Sequence, residues 1–308
     1  MNYAEYSVLD FFNANPNFIM YAGGSGGEHL VIKLKQYSDM FRDPNIKYNS
    51  VPNKNRWMID ANPFELAIAS EYSSRWKSRH VKDWSPIEFA RLIIDNMSRK
   101  FSYTEVCRII DNSINSIENS NGKSLFRKHL SGYSCFTDSN TYLITCNSSW
   151  VEYSRHLFAY KALMRKYKNE EDILFRLRRV PFYLSDRKDM LTDYVKNFGM
   201  DSYEMNEAKI ALICSTNKYS ISQILPMDLE DASIMYVKAN MDIETKVKDL
   251  NESPGFKIDM LQLFDKSYME DLFHINDSQF HEDMLIWHER NLELLSSHGH
   301  DITEWKLK

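Results

Sequence analysis

Four of the chain's nine glycines fall within five residues, at Gly23, Gly24, Gly26 and Gly27. Glycine is otherwise scarce, roughly 3% of the chain against a usual 7%, so this cluster is the strongest local constraint on the fold. Asn17 to Ala22 before it reads as a short buried strand. Glu28 to Leu34 after it begins a helical pattern that runs toward Met40. The expected order is therefore strand, glycine loop, helix. In that order glycines allow positive φ and close backbone approach, and the free N–H groups of the helix start favour a phosphate or sulfate. The alternative is a tight strand-to-helix turn whose glycines serve packing alone. Glu28 and His29 stand where GxxxxGK[ST] places its Lys and Ser/Thr, which disfavours an ordinary Mg-ATP site. GxGxxG also fits poorly, because His29 occupies its last glycine position.

A chain of 308 residues and 36.4 kDa is long for one domain and short for two, so one large α/β domain with helical elaborations is expected. Hydrophobic residues at 43% and charged residues at 26% exclude disordered, collagenous and coiled-coil classes. A net charge of -5 gives no global attraction to nucleic acid or anionic membrane. No apolar run reaches the roughly 18 residues of a membrane span, and the N-terminus lacks a basic stretch followed by an apolar one. The expectation is a soluble, cytoplasmic protein. Cys107, Cys135, Cys146 and Cys214 have no CxxC spacing, which fits free thiols in a reducing compartment.

A second constellation follows. Ser124 to Leu130 leads through a turn-rich stretch into Thr141 to Cys146, a strand rich in β-branched and aromatic residues. Asn147-Ser148-Ser149 is a capping signal for a helix carrying Tyr153, Leu157, Tyr160, Ala162 and Leu163. Strand, loop and helix thus occur twice, and in an open parallel sheet two such loops converge on one crevice.

In these segments the chain resembles the sulfotransferase-like branch of the P-loop fold. Tyr21-Ala22-Gly23-Gly24-Ser25-Gly26-Gly27-Glu28 looks like a glycine-rich version of that family's donor loop, which wraps the 5′-phosphosulfate. Arg127-Lys128-His129-Leu130-Ser131 is similar to the family's Lys-Thr-His-Leu-Pro strand end, where the His is the general base. Cys146-Asn147-Ser148, followed by Ser154, matches in spacing the segment that binds the donor's 3′-phosphate. Ile258 to Phe264, followed by His288-Glu289-Arg290-Asn291-Leu292, looks like the ending of bacterial and viral members. The resemblance implies a three-layer, mostly parallel α/β fold over residues 1–308, with a helical insertion at about 55–121. It also implies His129 and Arg127 as catalytic residues, and Gly23, Gly24, Ser25, Gly26, Gly27 and Ser154 as donor contacts. Gly24 stands at the family's loop Lys and Cys146 at its 3′-phosphate Arg, so two charge-assisted contacts are absent.

Other features carry less. His274, His281 and His288 recur every seven residues, but Asn276-Asp277-Ser278 is expected to break the helix between the first two, and metal ligands on a helix are more closely spaced. His298-Gly299-His300 reads as a solvated tail. The basic stretches 75–82 and 176–179 read mainly as solvated helix faces, with Arg178 or Arg179 as candidate replacement cations for the donor. Pro63, Ser85-Pro86 and Ser102 open helices in the 55–121 region, and Pro226 to Ala232 starts another. Ala208 to Cys214 is a strand or a buried helix, which periodicity leaves open. High Asn, Lys and Tyr usage suits an AT-rich genome, viral ones included.

The function expected from these readings is transfer of a sulfuryl group from 3′-phosphoadenosine 5′-phosphosulfate to an acceptor hydroxyl. One alternative is a nucleotide or nucleic-acid kinase using ATP and Mg²⁺. The other is a non-catalytic structural or interaction protein that keeps the fold.

Overall fold

In the computed structural model the described residues are 2–14, 16–41, 63–69, 85–119, 125–129, 141–167, 169–177, 185–199, 205–215, 218–240 and 243–307. The architecture is mixed α/β, mostly helical, around a small open parallel sheet.

The chain opens with α1 (Tyr3–Asn13). Its start is fixed by a capping box: the Asn2 side chain accepts from the Glu5 N–H, and the Glu5 carboxylate accepts from the Asn2 N–H. Strand β1 (Asn17–Tyr21) and helix α2 (Gly27–Tyr37) then flank the glycine loop. Helices α3 (Pro63–Ala69), α4 (Pro86–Ser98) and α5 (Tyr103–Asn119) lie within the 55–121 stretch that reads as mainly helical, and α4 carries Pro86 at its first turn beneath the Ser85 cap. Next come β2 (Leu125–His129), β3 (Thr141–Thr145) and α6 (Ser148–Leu163), whose cap is the Asn147 side chain accepting from Trp150 N–H at 3.1 Å.

Helices α7 (Glu170–Leu177), α8 (Ser185–Phe198), α9 (Glu207–Ser215) and α10 (Ile221–Ile224) follow. They gather a second apolar cluster around Ile173, Leu191, Ile210, Leu212 and Ile224. The segment that periodicity left open is thus a helix, α9, buried within this cluster. Helices α11 (Leu229–Asn240) and α12 (Ile243–Glu252) lead to β4 (Phe256–Asp259), then α13 (Lys266–Phe273) and α14 (Ser278–Ser297). The expected break precedes His281: α13 ends at His274 with φ of +50°, and Asp277 caps α14.

The sheet order is β2-β1-β3-β4, with every neighbouring pair parallel. β1 is central; the chain passes to one side of it for β2 and crosses back for β3. The switch point of the sheet, where open α/β folds form their ligand crevice, therefore lies beyond the carboxyl ends of β1 and β3. The main core beneath it joins Phe18, Ile19 and Met20 of β1, Leu143 and Ile144 of β3, and Tyr153 and Leu157 of α6. Among the described residues, no helix is long and apolar enough to cross a membrane.

The C-terminus departs from the expected solvated tail. Tyr160 stacks on His298, with centroids 3.9 Å apart, and its hydroxyl lies 2.6 Å from His300 Nε2. The same hydroxyl donates to Glu230 at 2.8 Å. Further on, Trp305 Nε1 donates to the Ser149 carbonyl at 3.0 Å, and the Trp305 carbonyl lies 2.8 Å from His288 Nε2. Aromatic stacking and these bonds hold the tail against α6 and α14.

Candidate functional site

A cleft with an interior of about 140 Å³ lies at the carboxyl edge of the sheet. One wall is the glycine loop and the start of α2, with Tyr21, Gly23, Gly24, Gly26, Gly27 and Glu28. The facing wall is α6, which presents Phe158, Lys161 and Ala162, spaced i, i+3 and i+4 on one helix face, with Arg165 just past its C-terminal cap. Glu207 at the start of α9, Tyr236 of α11 and Trp287 of α14 complete it.

The glycines are required by the protein's own packing. A Cβ on Gly24 would sit 2.2 Å from the Ser154 carbonyl oxygen, and φ there is +86°. A Cβ on Gly27 would lie 2.1 Å from Tyr21 Cγ. Gly26 caps α2 with φ of +81° and has the Trp287 ring 2.8 Å from its would-be Cβ. Only residues without a side chain let β1, α2 and α6 meet this closely. The loop still directs the start of an 11-residue helix, with its partial positive charge, toward the cleft.

The cleft holds two cations that sequence reasoning passed over. Lys161 keeps some exposure as a residue through the cleft, while its ammonium is enclosed by protein, and burial pushes its pKa down to about 8. The ammonium lies 5.5 Å from the centroid of the Trp287 ring. No hydrogen bond from it is made to any described residue. Arg165, just past the end of α6, is 56% exposed at its side chain and faces Glu207 at 3.4 Å. The signal for both was a pair of cations four residues apart spanning the C-terminal end of the helix after β3, which becomes meaningful only once the helix's orientation is known.

His29 is buried and stacks on Trp287 at 5.4 Å, nearly parallel. Burial pushes its pKa down to about 3, with the Lys33 charge adding to the effect, so its imidazole is neutral at physiological pH. Helix α2 is pinned to α14 by Asp283, which accepts from Lys33 Nζ at 2.5 Å and from the Tyr37 hydroxyl at 3.0 Å.

Of the expected donor contacts, Gly23, Gly24, Gly26 and Gly27 line the cleft. Ser25 has no exposed surface, and its hydroxyl donates to the Ala22 carbonyl at 2.7 Å, closing the loop on itself. Ser154 is likewise sealed, its hydroxyl oxygen 4.0 Å from the Met260 sulfur, and Cys146 Sγ lies 3.8 Å from the same sulfur. Burial pushes the Cys146 thiol up to about 12, so it stays protonated. His129 ends β2 and pairs in register with Tyr21, the residue before the loop; Arg127 pairs with Ile19. The structure describes their backbones and not their side chains. Cys135, residues 75–82 and Arg178 and Arg179 lie outside the described residues. Cys107, Cys146 and Cys214 are free thiols, and the described residues contain no group of His, Cys, Asp and Glu able to hold a metal.

His288 and Asn291, the pair resembling a family ending, are buried in the core, where His288 Nδ1 lies 3.3 Å from the Tyr153 hydroxyl. Comparison with family models, curated proteins and solved structures found no match to this chain.

Proposed function

We propose that the chain is a sulfotransferase-like transferase of three-layer P-loop type, which binds the phosphate end of a nucleotide-type donor in the sheet-edge cleft and passes a sulfuryl group to an acceptor hydroxyl. The observation that carries this reading is the position of the glycine loop: it lies at the switch point of a parallel sheet, at the start of α2, across a small cleft from Lys161 and Arg165. Those are the ingredients of an oxyanion site. The donor, 3′-phosphoadenosine 5′-phosphosulfate, would supply the sulfuryl group. The loop and α2 would hold its 5′ end, Lys161 and Arg165 would offset its charge, and His129 would take the proton of the acceptor hydroxyl. The register of β2 supports that last role, since it sets the His129 backbone beside the residue from which the loop springs. Cys146 and Ser154 do not fit a second phosphate, being packed on Met260.

That sealing favours one further reading, a non-catalytic protein that keeps the fold. Thermal unfolding separates the two. A ligand at a hundredfold its Kd adds about 2.7 kcal/mol to the native state, a rise of several degrees for a chain of this size. We expect 3′-phosphoadenosine 5′-phosphate to raise the midpoint. A rise with Mg-ATP alone would favour a kinase, and no rise with either at millimolar concentration would make the non-catalytic reading the better one.

A further inference from the structure

The cleft is small and its charge is nearly balanced. An interior of about 140 Å³ is well below the roughly 300–1,000 Å³ of pockets that enclose a whole drug-sized ligand, and similar to the roughly 150 Å³ of a cavity that takes one benzene. Its wall carries two cations, Lys161 and Arg165, and two carboxylates, Glu28 and Glu207. A chain of phosphates would bring far more negative charge than this set can offset. One tetrahedral group would be met by the enclosed Lys161 ammonium, the N–H groups at the start of α2 and the Arg165 guanidinium.

We infer that the cleft takes a single tetrahedral oxyanion, one terminal phosphate or sulfate of a donor whose remainder lies outside it, held by Lys161 and Arg165, and that Glu207 restrains binding by competing for Arg165. The inference rests on the anion-site reading above and narrows it to one group and one internal competitor. The Arg165–Glu207 contact is long at 3.4 Å, and its arginine is mostly exposed. Such a pair contributes little to stability, so an incoming oxyanion can exchange for the carboxylate, with a shorter charge-assisted bond to the same guanidinium. Lys161 feels the charge of the Glu28 carboxylate in the same wall but donates no hydrogen bond to a described residue, and its ammonium lies 5.5 Å from the centroid of the Trp287 ring.

Titration calorimetry on the full chain tests this, with inorganic phosphate, sulfate, pyrophosphate and adenosine 5′-monophosphate as probes. Phosphate and sulfate should bind with similar affinity, and pyrophosphate no more than about threefold more tightly than phosphate. Glu207→Gln should tighten phosphate binding several-fold. Arg165→Leu should weaken it about tenfold and abolish the effect of Glu207→Gln in the double variant. Lys161→Met, which keeps the aliphatic stem, should weaken binding tenfold or more at an unchanged circular dichroism spectrum. Binding unchanged or weakened by Glu207→Gln would overturn the inference, as would pyrophosphate binding more than tenfold tighter than phosphate, or no oxyanion binding at all. The transferase reading fails separately: if phosphate and sulfate bind as described but the nucleoside adds no affinity and no transfer is seen, the oxyanion site stands and the nucleotide donor falls.

Discussion

Replacing Gly24 by alanine isolates the contact on which the cleft depends. The new Cβ would sit 2.2 Å from the Ser154 carbonyl oxygen and 2.8 Å from its carbon, both backbone atoms of α6 that cannot rotate away. Gly24 also has φ of +86°, where an L side chain costs roughly 1–2 kcal/mol. Gly199, with φ of +67° and nothing within 4 Å of its would-be Cβ, is the matched control: it carries the left-handed strain without the clash. Gly199→Ala should therefore lose about 1–2 kcal/mol. Gly24→Ala should lose about 1–3 kcal/mol more, the usual cost of overpacking a filled site. Urea unfolding of the two variants beside the parent, followed by far-UV circular dichroism, measures the difference. Relief of the clash also moves the loop away from α6, so phosphate binding should fall in Gly24→Ala and remain in Gly199→Ala. Equal midpoints for the two variants would refute the claim that the loop docks on the α6 backbone.

Three other outcomes follow from the same geometry. Because burial holds Lys161 near 8, against 10.5 ordinarily, oxyanion affinity should fall as pH rises through about 8, approaching tenfold per unit above it; calorimetry from pH 6.5 to 9.5 should show the fall, and Lys161→Met should flatten it. His29 is held near 3, against 6.5 ordinarily, so between those values the unfolded chain binds the extra proton and stability drops as pH falls, by up to about 1.4 kcal/mol per unit. In His29→Phe the urea midpoints at pH 7, 5.5 and 4.5 should lie closer together than in the parent, and parallel profiles would count against the buried neutral imidazole. Trp305→Ala, which removes a buried ring and its bond to the Ser149 carbonyl, should cost about 3–5 kcal/mol in the same urea assay, whereas a frayed tail would lose almost nothing.

The strands that bear the site were readable because their signals are local. Asn17 to Tyr21 and Thr141 to Thr145 are short apolar runs followed by a glycine loop and by a capping Asn, and both form strands that feed helices. The Ser85-Pro86 and Asn147 caps were equally local and equally visible. Ala208 to Cys214 could not be decided by periodicity, since it is apolar nearly all round; burial among α8, α10 and α11 makes such a segment a helix as readily as a strand. The cations of the cleft were hidden for a different reason. Lys161 looks like any solvated residue near a helix end until the docking of α6 on the glycine loop turns it into the cleft, with Arg165 just beyond the helix at the cleft's edge. The tail was misjudged because His298, His300 and Trp305 are held by distant partners, Tyr160, Glu230 and Ser149, and tertiary contacts leave no local pattern.

One helix couples the loop to the charge. Ser154, whose carbonyl meets Gly24, and Lys161 lie seven residues apart on α6, roughly 10 Å along its axis. An α-helix is stiff over two turns, so the depth at which Gly24 seats on Ser154 fixes how far the Lys161 ammonium stands from the N–H groups of α2. The far side of α6 is clamped as well, through Tyr160 to Glu230, His298 and His300. Glycine at position 24 therefore acts as a spacer: its lack of a side chain lets the loop approach the helix that carries Lys161.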